Sequence, residues 1–175
     1  MTSQARRGVA ASLVLGLAAC APGLDWRDVR PAHSGAALQF PCRPHAQERS
    51  VTLAGAPVRL ALHACSAGGQ TWGLAFADLA DPARVGAALQ ELRLATAGNV
   101  GAQAAPAQAL EVPGATPNAQ SAITRLNGHL PDGKPVALRL AVFAHGTRVF
   151  QATVLGERVP DDAARVFFSS LRVSP

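Results

Sequence analysis

The chain has no tyrosine, one methionine and one lysine, Lys134, among its 175 residues. With so much alanine, that bias is the mark of a GC-rich genome rather than of a function. Charged residues make up only 15% of the chain. The arginines that carry its positive charge are scattered and form no basic cluster, which excludes the electrostatic footprint of a nucleic-acid binder. No Gly-x-Ser-x-Gly occurs, so there is no nucleophile elbow. Gly68-Gly69 lacks the lysine and hydroxyl of a phosphate-cradling loop. Asp161-Asp162 and the pair Asp78 and Asp81 read as helix-start and turn residues, not as an acid–base couple. No nucleophile, base and orienting group come together, so an enzyme is not expected. A cryptic hydrolase would have to rest on a serine such as Ser66 near His63.

Long apolar runs are also missing. The one run, Gly8 to Leu17, is too short to span a bilayer as a helix. It follows Arg6 and Arg7 and ends in small residues, which is the layout of a secretory signal peptide. Its end, Leu17-Ala18-Ala19-Cys20, resembles the lipobox of bacterial lipoproteins. That resemblance implies cleavage before Cys20 and acylation of Cys20, palmitate included. Each buried methylene contributes about 0.8 kcal/mol, so several chains give stable anchoring in the membrane. Ala21 stands where an aspartate would signal inner-membrane retention, which points to the outer membrane with the domain in the periplasm. The division expected is 1–19 signal peptide, 20–37 lipidated N-terminus and short tether, and 38–175 a single domain. Without Arg6 and Arg7 the formal charge of +5 drops by two, to a mild +3.

Only three cysteines are present. With Cys20 lipidated, Cys42 and Cys65 remain as a pair in an oxidising compartment, where a disulfide persists. Closing a loop of about 20 residues stabilises by roughly 3 kcal/mol. A simple register around Gly55 sets Cys65 opposite Ala46, so the bond requires a bulge or a bend at Pro44. The alternative is a Cys₂His₂ metal site from Cys42-x-x-His45 and His63-x-Cys65, suited to zinc or copper, in a metal or small-ligand carrier. On the disulfide reading no metal or cofactor is expected.

Along the chain, strands are expected at 37–41, 49–53, 58–65 and 71–77, with turns at 54–57 and 66–69. Leu24, Trp26 and Val29 are candidates to pack as a first edge. Asp81-Pro82 opens a helix whose buried stripe is Val85, Ala88, Leu89, Leu92 and Thr96, stopping at Gly98-Asn99. Leu110 and Val112 suggest a short strand, and 121–130 a further one. Segments 135–144 and 148–155 form a hairpin. A three-residue loop, His145-Gly146-Thr147, would pair Val142 with Phe150, Leu140 with Ala152 and Leu138 with Val154, all on one face. A second helix opens at Asp161 and buries Ala164, Phe167, Phe168 and Leu171. The result is an α+β domain, an antiparallel β-sheet with two main helices.

Three stretches carry a family likeness: Phe40-Pro41-Cys42-Arg43-Pro44, then Gly146 to Thr153, and Phe167 to Arg172. With the order of elements they resemble bacterial envelope proteins of the PsbP-like α/β/α fold, named for an extrinsic subunit of the photosynthetic oxygen-evolving complex. The chain is also similar to small proteobacterial lipoproteins. The likeness covers most of the chain after Leu38. It implies an α/β/α sandwich serving as a non-catalytic accessory or protein-interaction module of the envelope, with an envelope protein as partner and no nucleic acid. Cys42 and Cys65 lie outside the general pattern of that family.

Overall fold

The computed structural model describes residues 23–103 and 106–174. Among them are ten strands and two α-helices. In chain order these are β1 (Arg27–Val29), β2 (Ala36–Phe40), β3 (His45–Leu53), β4 (Ala56–Ala67), β5 (Gln70–Asp78), α1 (Val85–Asn99), β6 (Gln108–Ala109), β7 (Ala122–His129), β8 (Pro135–His145), β9 (Arg148–Gly156), α2 (Asp161–Ser169) and β10 (Arg172–Val173). They form a mixed α+β fold with two sheets rather than one. Seven strands pair in the order β3-β4-β5-β9-β8-β7-β6, and three in the order β1-β2-β10. All the pairings are antiparallel.

Strand residues alternate between two faces, and here both faces are covered. On one, Val85, Ala88 and Leu89 of α1 pack against Leu60, Ala75, Leu126, Leu140 and Val142. On the other, Leu38 and Phe40 of β2 and Ala164, Phe167 and Phe168 of α2 pack against Trp72, Leu74, Phe143 and Phe150. Rings meet edge to face there, Phe40 on Phe167 and Trp72 on Phe167, each at 5.4 Å between centroids. Burying an aromatic or large aliphatic side chain fully stabilises by about 1.5–3 kcal/mol, so the two layers of contacts hold the sheet between them.

The first helix begins as foreseen, with one refinement. Asp81 accepts a hydrogen bond from the Ala83 amide at 2.9 Å, but Pro82–Arg84 is a 3-10 turn that leads into α1 at Val85. Thr96 and Ala97 are buried at its far end, while Leu92 is half-buried. The second helix buries Ala163, Ala164, Phe167 and Phe168, with Leu171 buried just beyond it.

Two expectations need correction. The first is the hairpin of β8 and β9. His145 pairs with Arg148, so the loop is two residues, Gly146-Thr147, and Phe143 pairs with Phe150, Val142 with Gln151 and Leu140 with Thr153. Gly146 has φ +58°, which fits a turn with glycine at its first central position. Second, the short strand near residue 110 lies at Gln108–Ala109. Leu110 and Val112 instead pack against the α2-side core. The expected first edge is present: β1 pairs with β2, and Leu24, Trp26 and Val29 pack against the α2-side core. Trp26 sits edge-on to Trp72 at 5.7 Å.

Candidate functional site

Cys42 and Cys65 are joined in a disulfide with their Cα atoms 6.0 Å apart. Cys65 is a buried residue of β4, opposite Trp72 of β5. Cys42 lies in the bend that follows β2. The turn between β3 and β4 is two residues long, Ala54-Gly55, so Ala64 pairs with His45 and Ala46 faces His63 rather than Cys65. The pairing ends at His45, and a bend at Pro41-Cys42 brings the two sulfurs together without a bulge. Trp72 closes the region from the inside, its indole N–H donating to the Ala67 carbonyl at 3.2 Å.

The expected four-donor cluster is not assembled. His45 pairs with Ala64, whereas His63 follows Leu62 and precedes Ala64 on β4, so the two imidazoles lie on opposite faces of the sheet. Cys65 shares a face with His63, but both sulfurs are spent in the disulfide and supply no thiolate. Among the described residues no group of three His, Cys, Asp or Glu side chains is placed to hold a metal. His63 is half-buried and stacks on Phe76 with ring centroids 6.1 Å apart. That burial pulls its pKa below the ordinary histidine value.

The other polar candidates have structural work. The Ser66 hydroxyl is 3.2 Å from the Thr71 hydroxyl, and Ser66 lies on the opposite face of β4 from His63. His145 Nδ1 is 2.8 Å from the Gly114 carbonyl and ties the hairpin tip to the 113–116 loop. Asp78 accepts hydrogen bonds from the Thr147 hydroxyl at 2.7 Å and the Ala80 amide at 3.0 Å. These two donors, helped by the charge of Arg148 and opposed by partial burial, hold its carboxyl below the usual range. Gly68-Gly69 is the β4–β5 turn, with φ +62° and +79°. Cys20, the expected lipidation site, lies outside the described residues, and among the described residues no helix is long and apolar enough to cross a membrane.

One cluster escaped the reading of the sequence. Arg139 of β8 is only 11% exposed and ion-pairs with Asp161 at the start of α2. Arg125 of β7 lies directly across from it and is 3.6 Å from the same carboxylate. A signal was present: Arg139 is a lone charge inside Val136-Ala137-Leu138-Arg139-Leu140, an otherwise apolar strand. Compared with protein-family models, with curated proteins and with solved structures, the chain matches none of them.

Proposed function

We propose that the chain is a bacterial lipoprotein, anchored through acyl chains on Cys20 to the outer membrane. Its domain faces the periplasm as a non-catalytic accessory or protein-interaction module of PsbP-like type. The observation that carries this reading is Leu17-Ala18-Ala19-Cys20 behind the Arg6-Arg7 pair and its apolar run. The Cys42–Cys65 disulfide supports it, since such bonds persist in oxidising compartments. A helix over each face of an antiparallel sheet is in keeping with an α/β/α layering. The structural roles taken by Ser66, Asp78, Asp81 and His145 support a non-catalytic domain.

Metabolic labelling with radioactive palmitate tests the anchor. The wild-type chain is expected to take up label, fractionate with the outer membrane and lose its first nineteen residues. Cys20→Ser is expected to carry no label. An unlabelled wild type, or a labelled Cys20→Ser variant, would overturn the reading.

A further inference from the structure

We propose that the cleft formed by β6, β7 and β8, next to the start of α2, binds a small phosphate-type oxyanion through Arg125 and Arg139, with Arg165 adding positive charge nearby. The argument begins from a charge imbalance. Arg125 and Arg139 are direct cross-strand neighbours, and like charges so placed destabilise a sheet. Arg165 follows Asp161 by four residues on α2, one helical turn away on the same side. Arg125 and Arg139 therefore share one carboxylate, Asp161, while Arg165 makes no ion pair among the described residues, and positive charge is left in excess.

Arg139 makes the imbalance costly. It is almost buried, and Asp161 is its one ionic partner among the described residues. Burial is the first cause that pulls its pKa below the ordinary arginine value, and the charges of Arg125 and Arg165 add to it. A guanidinium presents five N–H donors in a rigid fork, and one carboxylate does not satisfy that fork.

Beside these arginines lies a cleft of about 270 Å³, lined by Arg125, Arg139, Gln108, Ile123 and Pro106 among others. That volume falls just short of the roughly 300–1,000 Å³ of pockets for drug-sized ligands. It suits a compact anion. Arginine forks match phosphate oxygens in paired, charge-assisted hydrogen bonds. The negative charge of a phosphate group also offsets the excess positive charge. The phosphate group is supplied either as the free ion or as the headgroup of an anionic lipid.

The test is calorimetric titration of the full chain, held in nonionic detergent, with inorganic phosphate at constant ionic strength. Saturable binding of one phosphate per chain is expected. Arg125→Gln combined with Arg165→Gln is expected to weaken it at least tenfold. Both side chains are exposed, so this variant tests binding without removing the Arg139–Asp161 pair. Arg139→Lys keeps the charge, loses the fork, and is expected to bind more weakly than wild type. Repeating the titration in micelles doped with phosphatidylglycerol separates the sources. Competition that depends on Arg125 and Arg165 identifies a lipid headgroup, and phosphate binding unaffected by the lipid identifies the free ion. No saturable phosphate binding, or binding untouched by the double substitution, would overturn the proposal.

Discussion

Ala54 holds φ at +47° in the two-residue turn between β3 and β4, with Gly55 beside it at +79°. Two positive values in sequence suit a tight hairpin turn that favours Asn-Gly. An alanine there carries a strain of about 1–2 kcal/mol. Neighbouring side chains hold it in place. Glu91 of α1 accepts a hydrogen bond from the Ala54 amide at 2.7 Å, and Arg84 donates to the carbonyls of Ala54 and Leu53 at 3.1 and 2.6 Å. Ala54→Asn keeps those backbone partners and relieves the strain. It is expected to raise the thermal midpoint by about 2–4 °C, and a calorimetric scan showing no rise would refute the assignment of strain. Asp78 gives a second prediction, in pH. Its carboxyl is held low in the fold by Thr147, Ala80 and Arg148, so its contribution to stability is complete above the unfolded value of 3.8 and is lost as pH falls through the folded value. Asp78→Asn is therefore expected to melt below wild type at pH 7. The gap should narrow once the pH drops below about 4, as thermal melts across a pH series would show.

Among the elements, the β8–β9 hairpin shows what local pattern can and cannot specify. Period-two alternation sets register when one face is wet. Here α1 covers one face and α2 with β2 the other, so both sets of residues are apolar and the pattern loses its power to choose. Gln151 is the residue that misleads. It lies beside Val142 on the α1 side, where its amide donates to the Thr96 hydroxyl at 2.6 Å, a partner that only the folded helix supplies. The near-parallel ring stack of Phe143 on Phe150, with centroids 4.9 Å apart, follows from the two-residue loop. An Hα–Hα nuclear Overhauser contact between Ala144 and Val149 is expected; one between Ala144 and Arg148 would restore the three-residue loop. Elsewhere the sequence was more informative. Asp81-Pro82, the α1 stripe and Phe167-Phe168 were legible because capping chemistry and helical spacing are local. The first half of β3, His45-Ala46-Gln47-Glu48, was not, because all four residues are exposed and the strand is defined only by its partner β4. Arg139 was hidden for a similar reason: its meaning depends on Arg125 and Asp161, which lie on other elements.

Over the whole molecule, the small sheet and the disulfide fasten the N-terminal part of the chain to the centre of the fold. Leu24 and Trp26 pack on the α2-side core, β1 pairs with β2, and Cys42 bonds to Cys65 in β4, one strand in from the edge of the larger sheet. Replacing Cys42 and Cys65 together by serine is expected to cost about 2–4 kcal/mol, read from the denaturation midpoint in urea; an unchanged midpoint would show that the bond does not constrain the unfolded chain. The same bond has a mechanical consequence. Tension applied at the N-terminal end enters through β1 and β2, whose few hydrogen bonds yield first, and then meets the covalent bridge at Cys42. The chain between the two cysteines, a sequence separation of 23, cannot be paid out while the bridge is intact. At about 3.3–3.6 Å per residue, it holds back roughly 80 Å of contour length. Pulled between its ends in an optical trap, the oxidised protein should therefore extend by roughly 80 Å less than the reduced one on complete unfolding. A domain tugged at its N-terminal end would thus shed slack up to Cys42 and stop, with the strands beyond it still folded.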